Sequence, residues 1–215
     1  MNTILLLLIA YLMGSIPSGL WIGKIFFGKN LREHGSGNTG TTNTFRVLGT
    51  KAGIIVFAMD VLKGLIPTLF PTWFGVTHTT LWGIIFGLAA ILGHIFPIFA
   101  GFKGGKAVAT TFGALIGISP WFVLFCVIVF IVSLYLTSMI SFASVTTSVL
   151  GILGILIFPA FHIIIPRYDL LFSIVFILVG LGIIILHRSN IGRIRRHEES
   201  TINFGLNLTH QKPKA

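Results

Sequence analysis

Acidic side chains are scarce in this chain: Glu33, Asp60, Asp169, Glu198 and Glu199 are all of them, against 15 Lys and Arg, for a net charge of +10. A magnesium-dependent phosphotransferase draws several carboxylates together, and a paired-carboxylate hydrolase needs two at a fixed distance. With Asp60 the only aspartate before Asp169, neither is easily assembled. Cysteine is nearly absent too. Cys126, in an apolar stretch, permits neither a disulfide framework nor a thiolate metal cluster. A pairing of His with Asp five positions later, common in soluble acyltransferases, is missing: His94, His162 and His187 are followed there by Phe99, Arg167 and Gly192.

What the chain has is apolar length. It is 54% hydrophobic and only 9% charged over 215 residues, far from the balance of a soluble domain. Apolar stretches run at 4–27, 53–74, 81–100, 107–118, 120–139, 142–165 and 170–187. Crossing a bilayer takes about 20 residues of helix, so most qualify. The weakest is 107–118, followed by Ser119 and Pro120; a short crossing and a re-entrant arm both fit it.

Cations decide the parity, because cytoplasmic loops are enriched in Lys and Arg. Lys29, Arg32, Arg46 and Lys51 follow the first stretch; Lys103 and Lys106 follow the third. Arg188, Arg193, Arg195, Arg196, Lys212 and Lys214 follow the last, while the intervening loops 71–80 and 166–169 hold only Arg167. All three basic regions share one side only if Pro120 separates two crossings. The expected fold is therefore all-α and polytopic, with seven transmembrane helices, the N-terminus outside and the C-terminus cytoplasmic. Lys24 and Lys29 follow the first apolar run, the reverse of a secretory leader, so 4–27 is read as a retained helix. Residues 1–199 are expected to form one membrane domain, and 200–215 a loosely ordered polar tail. The positive charge is read as positive-inside bias and attraction to membrane lipid, not as nucleic-acid binding.

Polar residues concentrate in three clusters on that one face. The first is HGSGNTGTTNTFRVLG, residues 34–49; the second is GHIFPIFAGFKGGKAVAT, 93–110; the third is HRSNIGR, 187–193. Glycines let backbone N–H groups converge on an anion. Helix N-termini favour phosphate, and Lys and Arg supply full charge. Singly, each cluster reads as an ordinary loop: FKGGKAV lacks the glycine spacing and the Ser/Thr of a P-loop. Together they describe a pocket for phosphorylated ligands. Asp60 and Lys63, three apart on a helical face, are costly inside a membrane; a structural pair and a support for the pocket both account for them.

The clusters resemble the signature motifs of the bacterial acyl-phosphate:glycerol-3-phosphate acyltransferases. The first motif is met at Ser36, Asn38, Gly40, Thr42, Asn43, Arg46 and Gly49. The second is met at Gly93, His94, Pro97, Phe99, Phe102, Lys103, Gly104, Gly105, Lys106, Val108, Ala109 and Thr110. The third is met at His187, Arg188, Asn190 and Arg193, with Glu199 matching the following glutamate. GSIPSG at 14–19 and DVLKG at 60–64 extend the resemblance end to end, although Thr39 and Thr41 stand where the family commonly has Pro and Ala.

The resemblance implies a seven-helix enzyme of the bacterial cell membrane with a cytosolic active site and no metal or cofactor. Its substrates would be fatty acyl phosphate and glycerol 3-phosphate, its products 1-acyl-glycerol 3-phosphate and phosphate. Ser36, His94, His187 and Asn190 become the candidate catalytic residues, with His94, His187 or the substrate's own phosphate as base. Gly37, Asn38, Gly40, Thr42, Asn43, Arg46, Lys103, Gly104, Gly105, Lys106, Thr110, Arg188, Arg193 and Glu199 become the candidate binding residues. A bulky residue at Gly40 is expected to hurt if the backbone there has positive φ or closely approaches phosphate. Two other classes share these helices and basic loops, a transporter of phosphate esters and a non-catalytic lipid-binding protein. A transporter should show paired halves with helices broken near mid-membrane; the polar motifs here lie at helix ends instead.

Overall fold

The computed structural model describes residues 2–165 and 169–211; Arg167, Lys212 and Lys214 lie outside the described residues. Every regular element among them is helical. Four helices are long and apolar enough to cross a membrane: Thr50–Trp73, Thr79–Ala100, Pro120–Thr137 and Ile140–Phe161. Two bent pairs bring the number to six if each is one crossing: Thr3–Gly14 with Ser18–Phe27, at 48°, and Leu170–Leu186 with Arg188–Arg195, at 52°. The stretch that is weakest in the sequence forms a shorter apolar helix, Val108–Ile118. This is a multi-pass membrane protein.

The chain divides into two compact units, Met1–Ile118 and Ser119–Ala215. In the first, α1 (Thr3–Gly14) and α2 (Ser18–Phe27) meet at a break containing Pro17. Proline has no N–H and disfavours helix at the residue before it, so the break falls where the sequence reads IPS. Then follow α3 (Thr41–Leu48), α4 (Thr50–Trp73), α5 (Thr79–Ile95) and α6 (Val108–Ile118). Leu6 and Ala10 of α1 bury against Phe70 of α4 and Phe86 and Ala89 of α5.

Helices α4 and α6 pack through reciprocal glycines. A Cβ on Gly64 would strike the Thr110 carbonyl, and one on Gly113 the Val61 carbonyl. Lipid tails offer no hydrophobic drive for helix association, so close backbone approach through small residues takes its place.

The second unit contains α7 (Pro120–Thr137), α8 (Ile140–Ile157), α9 (Leu170–Leu186) and α10 (Arg188–Arg195). Pro120 opens α7 at a position where its missing N–H costs nothing. Asp169 caps α9, its side chain accepting from Phe172 N at 2.8 Å. Residues 200–211 depart from the loose tail expected of them. The backbone N–H groups of Ile202, Leu206 and Leu208 donate to Ser138, Tyr135 and Leu136 carbonyls at 2.9, 2.7 and 2.9 Å. The last carbonyls of a helix have no partner within it, and this segment supplies one for Tyr135 and Leu136.

Candidate active site

In the first unit, the opening loop is organised around Asn43, which is 1% exposed. Its Oδ1 accepts from Ser36 N at 2.9 Å. Its Nδ2 lies 3.2, 3.0 and 2.9 Å from the carbonyls of Leu31, His34 and Asn38. An amide carries a carbonyl acceptor at one end and an NH2 with two donors at the other, and here both ends serve the loop. Asn38 Oδ1 accepts from Gly40 N at 2.8 Å, turning the chain into α3. Gly35 and Gly37 take positive φ, 62° and 71°. Gly40 does not: at φ −86° and ψ 176° it is extended backbone that any residue adopts. Ser36, Thr42 and Arg46 remain exposed on this loop and the first turns of α3.

Beneath the loop lies a buried polar cluster. Asp60 and Lys63 are 2% and 5% exposed and pair at 2.7 Å. Asp60 Oδ1 also accepts from Ser18 Oγ at 3.0 Å, and Oδ2 accepts from Thr41 Oγ1 at 3.2 Å. Lys63 Nζ donates to the Ile16 carbonyl at 2.8 Å, at the break between α1 and α2. His94 Nδ1 stands 3.8 Å from Asp60 Oδ1, longer than a hydrogen bond. The pair therefore joins the α1–α2 break, the starts of α2 and α3, and α4, with His94 at the end of α5 beside it. The ion pair that the sequence allows is present in the geometry.

The second cluster folds back onto the end of α5. Gly104 N donates to the Ile95 carbonyl at 3.1 Å and Gly105 N to the His94 carbonyl at 3.2 Å. Gly105 thereby lies against the His94 ring, and a Cβ there would collide with Nε2. Phe102 and Ala107 adopt left-handed backbone, φ 57° and 58°, a conformation costing an ordinary residue about 1–2 kcal/mol. Arg32 links this loop to the opening one, donating through Nη2 to the carbonyls of Ala100 and Lys103. Lys103 is exposed, Lys106 half-buried, and the Thr110 side chain fully buried at the start of α6.

The third cluster belongs to the second unit. His187 sits at the bend between α9 and α10, 4% exposed, with Nδ1 2.8 Å from the Ile183 carbonyl. A carbonyl can only accept, so Nδ1 holds the proton and a neutral ring keeps its lone pair on Nε2. Glu199, 2% exposed, receives Asn190 Nδ2 at 2.8 Å, Ser141 Oγ at 2.9 Å and Arg193 Nε at 2.7 Å. Its backbone N–H donates to Gln211 Oε1 at 3.0 Å. Glu198 points elsewhere, to an exposed pair with Arg196 at 3.0 Å. In this arrangement Glu199 holds Asn190 and Arg193, and a carboxylate engaged in that way presents no group to a phosphate. Arg188 is exposed.

Among the described residues, no group of His, Cys, Asp and Glu is disposed to hold a metal ion. Ser18, Arg32, Thr41, Ser141 and Gln211 are not among the candidate site residues read from the sequence. Ser18 had a signal in the GSIPSG stretch, Thr41 in the cluster 34–49 and Arg32 in the first basic loop; Ser141 and Gln211 look like ordinary polar residues until the fold supplies their partners.

The glycerol-3-phosphate acyltransferase family model matches residues 4–197. The chain belongs to this family. Two glycerol-3-phosphate acyltransferases illustrate how closely its sequence is shared. One from Streptococcus thermophilus is 56% identical over 214 residues, covering 100% of both chains. One from Lactococcus lactis subsp. lactis is 57% identical over 215 residues, again 100% of both. Among solved structures, the fold is similar to PlsY (YgiH), an integral membrane glycerol 3-phosphate acyltransferase. Its glycerol 3-phosphate form superposes with a TM-score of 0.82 at 37% identity, covering 94% of this chain and 96% of that one. Its lysphosphatidic acid form gives 0.78 at 35%, covering 94% and 95%.

Proposed function

We propose that this protein transfers a fatty acyl group from acyl phosphate to the 1-hydroxyl of glycerol 3-phosphate. The products are 1-acyl-glycerol 3-phosphate and inorganic phosphate. The observation that supports this most is the meeting of the two loops of the first unit at one buried cluster. The opening loop reaches Asp60 through Thr41, and the second loop lies on His94 through Gly105. Arg46 and Lys103 stay exposed above them. A relative of this fold solved in a glycerol 3-phosphate form supports the acceptor. The donor rests on the motif resemblance and on the chemistry the residues suit.

An acyl phosphate is already activated. The acceptor oxygen attacks the acyl carbonyl carbon, the bond from that carbon to the phosphate oxygen breaks, and phosphate departs. The hydroxyl proton ends on the released phosphate, directly or through His94 or His187. What the protein must supply is proximity of two anions and positive charge where negative charge gathers. Arg46, Lys103, Lys106, Arg188 and Arg193 are assigned to the anions. Ser36, Thr42 and Asn190 are assigned to directional hydrogen bonds. Asn43 keeps the loop in shape beneath them. No covalent acyl-enzyme is needed.

Seven crossings with an outside N-terminus belong to the same proposal: each of the two bent pairs counts once, the four long helices count once each, and Val108–Ile118 is the seventh. The basic loops then face the cytosol, where both substrates are soluble or membrane-borne. The test is purified protein in detergent with acyl phosphate and glycerol 3-phosphate, following phosphate release and lysophosphatidate formation. Turnover with acyl phosphate and little with acyl-CoA is expected. Comparable turnover with acyl-CoA, or none with acyl phosphate, overturns the reading.

A further inference from the structure

Residues 200–211, beyond the part matched by the family model, are built inside out. Ile202, Phe204, Leu206 and Leu208 occupy every second position and are 37%, 47%, 52% and 58% exposed. Two polar side chains among and after them, Asn207 and Gln211, turn inward, while Asn203 and His210 are exposed. Asn207 Nδ2 donates to the Gln211 carbonyl at 3.0 Å and its Oδ1 accepts from Gln211 N at 3.1 Å. Gln211, 2% exposed, accepts from Glu199 N and donates through Nε2 to the Ile194 carbonyl at 3.3 Å. In water this segment would bury the amides of Asn207 and Gln211 and present its hydrocarbon, against the drive that removes apolar surface from water.

Its position supplies the partner. The backbone of the segment is hydrogen-bonded to Tyr135, Leu136 and Ser138, and Asn207 N donates to Ser138 Oγ at 3.1 Å. Those residues end α7, a helix of membrane-crossing length. Phe204 continues the exposed apolar surface of that helix, its ring edge-on to Tyr135 at 5.8 Å. Further along the same helix, Ile128, Ile131 and Val132 are exposed. The Gln211–Ile194 bond ties the segment to the end of α10, where Arg195 and Arg196 are exposed. Apolar side chains at the end of a spanning helix, with cations beside them, match the boundary between lipid headgroups and acyl chains.

We propose that residues 202–208 are an interfacial membrane anchor, clipped by their backbone to the end of α7, with Ile202, Phe204, Leu206 and Leu208 seated in the bilayer and the neighbouring arginines on anionic headgroups. The anchor steadies Gln211, and through it the backbone of Glu199, which holds Asn190 and Arg193.

The test uses the full chain with Cys126→Ser and one new cysteine, Leu206→Cys or, as control, Asn203→Cys. Each is labelled with an environment-sensitive fluorophore in nanodiscs of mixed phosphatidylglycerol and phosphatidylcholine. The 206 probe should be blue-shifted and quenched by a shallow lipid-borne spin label. The 203 probe should be quenched mainly by aqueous iodide. Leu208→Cys repeats the measurement if Leu206→Cys does not fold. A 206 or 208 probe open to iodide and untouched by the lipid quencher overturns the proposal. So does disulfide cross-linking between copies through position 206 with loss of lipid quenching, which would assign the surface to a second copy of the chain.

Discussion

Asn43→Asp changes one atom of a buried side chain from donor to acceptor, and the structure says what that atom faces. Oδ1 can still receive Ser36 N, but the new oxygen would look at the carbonyls of Leu31, His34 and Asn38, within 3.2 Å of each. The Leu31 contact is fully buried, and leaving such an acceptor unsatisfied costs about 1–3 kcal/mol. The other two are partly exposed, where water makes good part of the loss, so about 0.5 kcal/mol each is a fair increment. The sum, about 2–4 kcal/mol, corresponds to a drop of roughly thirty-fold to nearly a thousand-fold in the population of the ordered loop.

Two assays separate this account from direct phosphate binding by Asn43. One is kcat/KM for glycerol 3-phosphate. The other is hydrogen exchange of residues 34–43 without substrate. If Asn43 shapes the loop, exchange in the ligand-free variant rises along with the loss of activity. Lost activity with unchanged ligand-free exchange would refute the reasoning, and so would near-normal values in both.

Asp60→Leu leaves Lys63 buried without its counter-charge and should cost about 3–5 kcal/mol of stability, read as earlier thermal loss of the monodisperse protein in detergent. Asp60→Leu with Lys63→Met should recover much of that stability yet not the activity, because Ser18 and Thr41 have lost their acceptor. Thr41→Val should lower kcat/KM by about tenfold, the worth of a hydrogen bond to a charged group, while Thr41→Ser keeps the bond and most of the activity; equal rates for the two would exclude a role for the hydroxyl. Gly105→Ala must displace the His94 ring, an overpacking worth about 1–3 kcal/mol, and steady-state kinetics should show a loss beyond what a methyl group on an open loop would cause. Cysteines at Val76 and Lys103 should react with impermeant reagents from opposite sides of the membrane; labelling from the same side contradicts the charge-derived topology.

The sequence by itself determined what depends on composition and local pattern. Long apolar runs with few charges dictate helices in lipid, since only internal hydrogen bonding satisfies a backbone there. Pro17 and Pro120 mark a break and a helix start because the proline ring acts within its own turn. The three polar clusters stand out against their apolar surroundings, and their spacing was specific enough to reach the family. The tertiary structure decided which side chains face one another. Asp60 and Lys63 are neighbours by helical spacing, but Ile16, Ser18 and Thr41 reach them only when α1, α2 and α3 are packed on α4. Asn43 reads from sequence as a ligand for phosphate and is in the fold a brace, because its amide meets carbonyls from residues 31 to 38. Glu198 and Glu199 are adjacent in sequence and equal in chemistry. One backbone turn buries Glu199 against Ser141, Asn190 and Arg193 and leaves Glu198 with Arg196 at the surface. A hydrogen bond needs its partners within about 3 Å, and for residues as far apart as 141 and 199 only the packed chain sets that distance.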